Sequence, residues 1–292
     1  MSLAYPKQNF KDWFTQQWVI LWGKKIDPDT VPWLMGPFGD LGSISDDFIV
    51  QFAKSEGLII QRNTTAHGLI SPFTNLNLTE NEFHTLSKKV VDFYEKTADY
   101  NLKLSVKWNP LFKFFGVLVN KSFSRRINQL DIPTGNLKDA KGLSSEIITL
   151  VDPKTKLVQH TIWFRTIEST GQTVYSSVYS TCKLPSGKTC VKAVFPLPKG
   201  NATVIMTPSI DENGSLILNS SGRRFGDAGF YFLLTDSKGN IWSQYLRSFR
   251  DKLIVSPDHE SIIAEQTLTL WHLKVLRFNY EIELKLDSID VD

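Results

Sequence analysis

The chain has 292 residues, of which 41% are hydrophobic and 22% are charged, and this is the composition of an ordinary globular protein. A chain of this length can bury a substantial core, either as one large β-rich domain or as two smaller domains. Its 33 basic and 30 acidic residues are nearly balanced, which excludes the strongly basic surface expected of a nucleic-acid-binding protein.

No segment of the sequence predicts membrane insertion or secretion. A run of eighteen apolar residues, the minimum for a spanning helix, does not occur. The opening stretch MSLAYPKQNFKDWF also lacks the basic and apolar regions of a signal peptide. We therefore expect a cytoplasmic protein.

The first hundred residues predict a helical region. Ser45 is placed to cap a helix that Gly57 ends, and two aspartates lie in its first turn. Thr79 and Glu82 have the spacing of a capping box at the start of a second helix, which we expect to run to about Lys96. The apolar stripe of this second helix consists of Phe83, Leu86, Val90 and Tyr94.

Four tryptophans fall in or near the first helical segments. Burying a tryptophan is among the largest apolar gains available to a fold. We therefore expect these side chains to pack the helical region onto the rest of the chain rather than to bind a ligand. They are Trp13, Trp18, Trp22 and Trp33.

The segment NPLFKFFGVLVNKSFSRRINQL predicts a basic amphipathic helix over residues 110–130. Asn109 is a suitable cap and Pro110 suits the first helical position. Apolar side chains fall on one face, and the basic side chains lie largely off it. Three roles stay open: packing on the sheet, covering one mouth of it, or a weak contact of Pro110–Leu130 with an anionic membrane.

After about residue 145 the apolar period changes from 3.6 residues to 2, and short turn clusters separate strand-like runs. The last run, LRFNYEIELKL, alternates without interruption. Long alternating strands joined by short turns predict an antiparallel sheet that closes on itself, because closure removes exposed edges. With NLKLSVKW included, we count roughly nine or ten strands.

The predicted fold is therefore α+β, with a helical amino-terminal part packed on a large antiparallel, barrel-like β-sheet. The helical region covers residues 1–100 and the sheet, with the basic helix, covers residues 101–292, in one compact unit. A barrel of this strand number leaves room for a ligand unless side chains fill it.

The segment SGRRFGDAGFYFLL combines three glycines with three charged residues. Its glycine spacing fits neither the dinucleotide nor the P-loop pattern, and a strand follows it, which excludes a phosphate cradle. Gly226 and Gly229 allow a turn that Asp227 can cap. Arg223 and Arg224 are adjacent on a predicted strand, so we expect one to point inward and to need Asp227 or a bound anion as its partner.

Cys182 and Cys190 flank the predicted hairpin turn KLPSGKT. They would face each other across the strand pair, where a disulfide is geometrically possible, but in a reducing cytoplasm we expect two thiols. No cysteine or histidine spacing predicts a metal site, and the five histidines stand in no recognised catalytic motif. We expect neither a metal nor a cofactor.

Several stretches resemble a family of uncharacterised bacterial proteins. These are LWGKKIDPDTVPWLMGPFG, FYEKTADYNL, FSRRINQLDIP, YSTCKLPSGKTCVKAVFPLPKGNATV and GRRFGDAGFYF. The resemblance covers most of the chain and implies a bacterial protein that forms a single unit. It implies no activity, cofactor or catalytic residue.

Barrel closure favours a binding function, in which the cavity holds an apolar or amphipathic small molecule. We expect aromatic walls from Phe230, Phe232, Tyr175 and Tyr179, with Arg223 or Arg224 near one end for a carboxylate or phosphate head. Two alternatives stay open: a hydrolase or lyase that uses an arginine and a carboxylate in the same cavity, and an interaction protein with a filled barrel. Further polar candidates for the interior, whose faces the sequence does not determine, are Arg165, Glu168 and Arg247.

Overall fold

The computed structural model describes residues 3–6, 10–40, 44–62, 65–112, 143–167, 171 and 173–285. Within these ranges, four α-helices lie in the first hundred residues, and a further helix begins at Pro110. The four are α1 (Phe10–Trp22), α2 (Ser45–Glu56), α3 (Glu80–Thr85) and α4 (Lys88–Glu95). A helix near Ser45 forms as predicted, but the expectation that Ser45 caps it is wrong, because Ser45 is already helical and its hydroxyl bonds to that of Thr173 instead.

Fourteen strands in the described ranges form one antiparallel sheet, which confirms the α+β prediction. The count exceeds the expected nine or ten partly because two three-residue strands come from the helical region. The strands are β1 (Lys24–Ile26), β2 (Ile59–Gln61), β3 (Tyr100–Trp108), β4 (Leu143–Val151), β5 (Val158–Ile167), β6 (Thr173–Lys183), β7 (Thr189–Leu197), β8 (Gly200–Ile210), β9 (Leu216–Asn219), β10 (Gly229–Thr235), β11 (Ile241–Leu246), β12 (Phe249–Pro257), β13 (Ile262–Leu270) and β14 (Leu273–Leu284).

The sheet runs in the order β2-β4-β5-β6-β7-β8-β9-β12-β13-β14-β3. β8 is a branch point, because its residues 200–205 pair with β10 while residues 207–210 pair with β9. β10 continues through β11 to β1, so the branch ends on a strand from the helical region.

The sheet curls on itself without closing. β3, at one end of the strand order, comes back into contact with β4 near the other end. In the described ranges no hydrogen-bonded ladder joins these two strands. β2 pairs with residues 149–151 of β4 and so occupies part of the edge that β3 would need. The barrel-like prediction therefore holds as a curled sheet with a gap between β3 and β4.

Strand alternation divides the inside of the curl from the outside. On β14, Leu276, Phe278 and Ile282 are buried, with exposed fractions of 3%, 7% and 2%. The alternation predicted for LRFNYEIELKL is present here, but Leu284 is 61% exposed, so the dry face ends before it.

Three helices cover different parts of the sheet. α4 packs inside the curl, where Phe93 joins the largest apolar cluster. α2 packs Phe48 and Ile49 on the opposite face of β4 and β5, against residues such as Ile148 and Ile162. α1 packs on β10 and β11. The core strands are thus buried on both faces.

The predicted second helix is broken into α3 and α4. Its capping box forms as expected: the N–H of Glu82 donates to Oγ1 of Thr79, and the Glu82 carboxylate accepts from the N–H of Thr79. The prediction of one helix to Lys96 is wrong, because Leu86 adopts an extended ψ of 131°. The N–H of Ser87 then donates to the carbonyl of Gly214 at 3.0 Å, which ties the break to the β8–β9 hairpin.

The predicted basic helix begins where its cap was expected. Oδ1 of Asn109 accepts a hydrogen bond from the N–H of Leu111 at 3.1 Å, and residues 110–112 are helical. Most of the segment Pro110–Leu130 lies outside the described residues. Its predicted role in covering the sheet or contacting a membrane stays a prediction.

The expectation that all four tryptophans pack the helices onto the sheet is wrong for two of them. Trp33 is 9% exposed, and its ring centroid lies 5.6 Å from that of Tyr231. Trp13 is half-buried against β10 and β11. Trp18 and Trp22 are exposed, because α1 turns the opposite arc of its surface toward the sheet.

Two hairpin turns share an Asp-x-x-Gly pattern. Gly214 and Gly239 have φ of 76° and 80°, which favours glycine, and each follows an aspartate by three residues. Asp236 is buried and accepts bonds from the N–H groups of Lys238 and Asn240 and from the indole of Trp242 at 3.0 Å. Burial raises the pKa of Asp236, but hydrogen bonds from Asn240 and Trp242 outweigh it and hold the pKa well below its usual range.

Replacing these two turn aspartates should cost unequal amounts of stability. We expect Asp236→Ala to lower the free energy of unfolding by about 3 kcal/mol, since it leaves several buried donors without an acceptor. Asp211→Ala removes a less buried cap of the same type, which accepts from Asn213 and Ser215, and should cost about 1 kcal/mol. Urea unfolding measures both, and equal losses would contradict the role of the buried turn.

Candidate binding cavity inside the curled sheet

A cavity of about 350 Å³ lies inside the curl and is partly open to the outside. Side chains from ten strands and from α4 line it, and most of them are aliphatic or aromatic. The side chains of the described residues therefore leave part of the interior unfilled.

Aromatic rings form one wall of the cavity. The Trp163 ring centroid lies 5.8 Å from that of Tyr175 and 5.7 Å from that of Tyr179, in edge-on arrangements. Tyr175 also meets Phe195 at 5.9 Å. Such edge-to-face pairs rigidify the wall. Burial raises the pKa of Tyr175 and Tyr179, so both stay neutral phenols.

Arg165 on β5 points into this wall and is 1% exposed. Its guanidinium carbon lies 5.2 Å from the Trp163 ring centroid and 5.6 Å from each of the Tyr175 and Tyr280 centroids. Its Nη1 donates to Oη of Tyr175 at 3.4 Å. In the part of the chain that the structure describes, Nε and Nη2 have no hydrogen-bond partner.

Asp251 on β12 lines the same cavity and is 5% exposed. Its Oδ2 accepts a bond from Nε2 of Gln266 at 2.7 Å, while Oδ1 has no partner among the described residues. Burial raises the pKa of Asp251 to about 7, although the bond from Gln266 lowers it. Near neutral pH this carboxyl group exists in both protonation states.

A polar chain extends from Asp251 toward Arg165. Oη of Tyr280 donates to Oε1 of Gln266 at 3.4 Å, and Gln266 in turn binds Asp251. The Tyr280 ring is one of those that surround Arg165. The two charged groups of the cavity are thus connected through neutral side chains.

Three of the four predicted aromatic residues line the cavity, namely Tyr175, Tyr179 and Phe230. Phe232 does not. It lies two residues further along the same face of β10 and packs with Trp13 and Trp242 under α1. The cavity therefore has an aromatic wall, whereas Phe232 belongs to the packing of α1.

The prediction that Arg223 or Arg224 points into the core is wrong. Residues 221–228 form a loop rather than a strand, and both arginines are exposed. Oδ2 of Asp227 accepts hydrogen bonds from the backbone N–H groups of Arg223 and Arg224 at 3.0 and 3.2 Å. Asp227 therefore caps the turn, as expected. Gly226, with φ of 100°, supplies the left-handed residue.

Cys182 and Cys190 are register partners across β6 and β7, as their spacing predicts, and both are buried free thiols. Burial raises their pKa to about 11 and about 12, so neither is a reactive thiolate near neutral pH. The described residues contain no cluster of His, Cys, Asp and Glu that could hold a metal ion. Among those residues, no helix combines the length and apolar composition that crossing a bilayer requires.

The buried carboxyl group of Asp251 should make stability depend on pH. Because its folded pKa of about 7 exceeds the ordinary value of 3.8, the folded state holds an extra proton between these values, and stability falls as pH rises through this window. We therefore expect the free energy of unfolding of Asp251→Asn to rise, relative to that of the native chain, by about 3 kcal/mol from pH 5 to pH 8. Urea unfolding at both pH values measures this. The exposed Asp258→Asn variant, one residue beyond β12, controls for the substitution itself. Parallel pH profiles of the native chain and Asp251→Asn would contradict the burial of the Asp251 carboxyl group.

No protein-family model matches the chain. No solved structure matches it either. The chain is 26% identical over 267 residues, or 91% of its length, to a Bacillus subtilis (strain 168) protein named "Uncharacterized membrane protein YndJ". It spans 46% of the length of that relative. The match confirms the resemblance to uncharacterised bacterial proteins.

Proposed function

We propose that the protein binds an apolar or amphipathic small molecule inside the curled sheet. The observation that supports this is the cavity of about 350 Å³, which lies within the size range of ligand sites. Its lining is largely apolar, with Arg165 and Asp251 as its charged side chains among the described residues. A hydrocarbon tail would lie against the apolar lining while a polar head meets Arg165.

An enzyme is the second candidate for the same cavity. Asp251, whose pKa burial raises to about 7, has the protonation behaviour of a general acid or base, and Arg165 would stabilise negative charge. This is the hydrolase or lyase alternative, with Arg165 in place of the loop arginines. Mass spectrometry of added ligand after incubation separates the two: intact ligand supports binding, and product supports catalysis.

Filling the cavity should weaken ligand binding. Ala264 lines the cavity on β13, whereas its neighbour Ile263 is 45% exposed on the other face. We expect Ala264→Phe to weaken binding of a fluorescent fatty acid at least about tenfold, because the new ring occupies the ligand's space. Ile263→Phe adds a ring on the same strand and should bind like the native chain.

The measurement is a fluorescence titration, with far-UV circular dichroism to confirm that both variants fold. Equal affinity for the native chain and Ala264→Phe would place the ligand outside the cavity and contradict the proposal. The same holds if the native chain does not bind the probe.

We also propose that the protein contacts a membrane surface through α1. Five large apolar side chains of this helix lie on one arc and are exposed, with fractions between 41% and 73%. They are Phe10, Phe14, Trp18, Leu21 and Trp22. Scattered exposed apolar residues are normal in soluble proteins, but a continuous face of this size indicates an interaction site.

The chemistry of this face suits a lipid headgroup region. Tryptophan and phenylalanine are the residues that interfacial helices insert, and the exposed Lys24 and Lys25 follow α1 directly, which suits anionic lipids. The Bacillus subtilis relative is named a membrane protein, and this supports the same location. We propose the cytoplasmic side, since the facing cysteines are free thiols, as in a reducing compartment.

Removing the exposed aromatic residues of α1 should reduce membrane binding without affecting folding. We expect the double variant Phe14→Ser, Trp18→Ser to co-sediment at least about tenfold more weakly with phosphatidylglycerol vesicles. Val50→Ser is the matched control, because Val50 is 51% exposed on α2. If the native chain does not co-sediment at low salt, or if the double variant binds as the control does, α1 is not a membrane contact.

A further inference from the structure

We infer that the polar head of the ligand is a carboxylate, held by Nε and Nη2 of Arg165 through two parallel hydrogen bonds. This inference rests on the proposed binding function and specifies the chemical class of its ligand. It begins from the two guanidinium nitrogens that find no hydrogen-bond partner among the described residues.

The position of these two nitrogens determines the shape of the missing partner. Nε and Nη2 lie on one edge of the planar guanidinium group, so their N–H bonds point in nearly the same direction. Two acceptor oxygens of one planar group match this edge, as in bidentate arginine–carboxylate pairs. The remaining nitrogen, Nη1, is already directed to the Tyr175 hydroxyl.

The described residues around Arg165 leave this edge of the guanidinium group without a hydrogen-bond partner. The rings of Trp163, Tyr175 and Tyr280 stabilise the positive charge, and the hydroxyls of both tyrosines lie near the guanidinium group. Neither hydroxyl accepts a hydrogen bond from Nε or Nη2. A guanidinium group that is 1% exposed is costly to bury when two of its three nitrogens have no hydrogen-bond partner among the described residues. A bound anion would remove that cost.

Asp251 does not supply the anion. One of its oxygens binds Gln266, and the structure describes no ion pair between Asp251 and Arg165. Burial also raises its pKa to about 7, so the carboxyl group is partly neutral at neutral pH. Arg165 is then the dominant charge in an otherwise apolar cavity.

One positive charge favours a ligand with one negative charge. A carboxylate forms a neutral pair with Arg165, whereas a phosphate monoester would bring a second negative charge into an apolar cavity without a partner for it. An alcohol would satisfy at most one of the two donors. The preferred ligand is therefore an aliphatic carboxylic acid.

The test compares four probes with the same twelve-carbon chain: dodecanoate, dodecanol, dodecyl phosphate and dodecylamine. Each competes with a bound uncharged fluorescent probe at pH 6.5, where Asp251 is mostly protonated and dodecanoate is ionised. We expect dodecanoate to bind at least about 30-fold more tightly than dodecanol, since two charge-assisted hydrogen bonds separate them. Dodecyl phosphate should bind more weakly than dodecanoate, and dodecylamine should bind most weakly.

Two variants assign this preference to Arg165. Arg165→Met keeps the length of the side chain and should bind dodecanoate and dodecanol with similar affinity. Arg165→Lys keeps the charge but not the paired donors, and should lose most of the preference for dodecanoate over dodecyl phosphate. Arg277→Met is the control, because Arg277 is an exposed arginine that pairs with Glu265; it should keep the native preference.

The possible outcomes separate the inference from the function on which it rests. If dodecanol binds the native chain as tightly as dodecanoate, or if dodecyl phosphate binds more tightly, the carboxylate assignment is wrong while the binding cavity stands. If none of the four probes competes and the uncharged probe does not bind, the proposed function fails as well. Should Arg165→Met not fold, the probe comparison on the native chain and Arg165→Lys still decides the inference.

Discussion

The two-residue period of the strands is the constraint on which the whole structure depends. Once the antiparallel sheet curls, every second side chain of ten strands must enter one enclosed space. Most of those side chains are apolar, and they form the largest core cluster together with α4. Arg165 has the same register as Trp163, two residues before it, so it must enter this space too. Its burial follows from its position on β5 and requires a compensating partner.

The gap between β3 and β4 keeps the curled sheet from closing into a barrel. β2 pairs with part of the β4 edge that β3 would need, and the cavity inside the curl is partly open. Three helices pack on different parts of the sheet. α2 packs on the outer face of β4 and β5, and α4 packs inside the curl. α1 packs on the branch formed by β10 and β11. Among the helices that the structure describes, α1 alone presents a continuous apolar face to the outside. The proposed membrane contact and the proposed cavity therefore belong to separate parts of one fold.

The parts of the fold that follow local rules could be predicted from the sequence. The capping box at Thr79, the left-handed Gly57 and the pairing of Cys182 with Cys190 depend on short spacings, and each forms as expected. Arg165 is among the polar candidates for the interior, but the face to which it points could not be predicted. β5 is buried on both faces, with Ile162 under α2 and Trp163 in the cavity. Because both faces carry apolar residues, the sequence HTIWFRTI does not show which face is the inner one. Arg223 and Arg224 misled for the opposite reason: a loop stabilised by Asp227 and by the hydroxyl of Tyr231 stands where a strand was expected.

The most direct test of this account is a crystal structure of the protein soaked with dodecanoate. The account predicts electron density for a single amphiphile inside the curl, with both carboxylate oxygens within hydrogen-bond distance of Nε and Nη2 of Arg165 and with the hydrocarbon chain against the apolar lining. Density for the amphiphile outside the curl, or an interior closed by protein side chains with Arg165 paired to one of them, would contradict it.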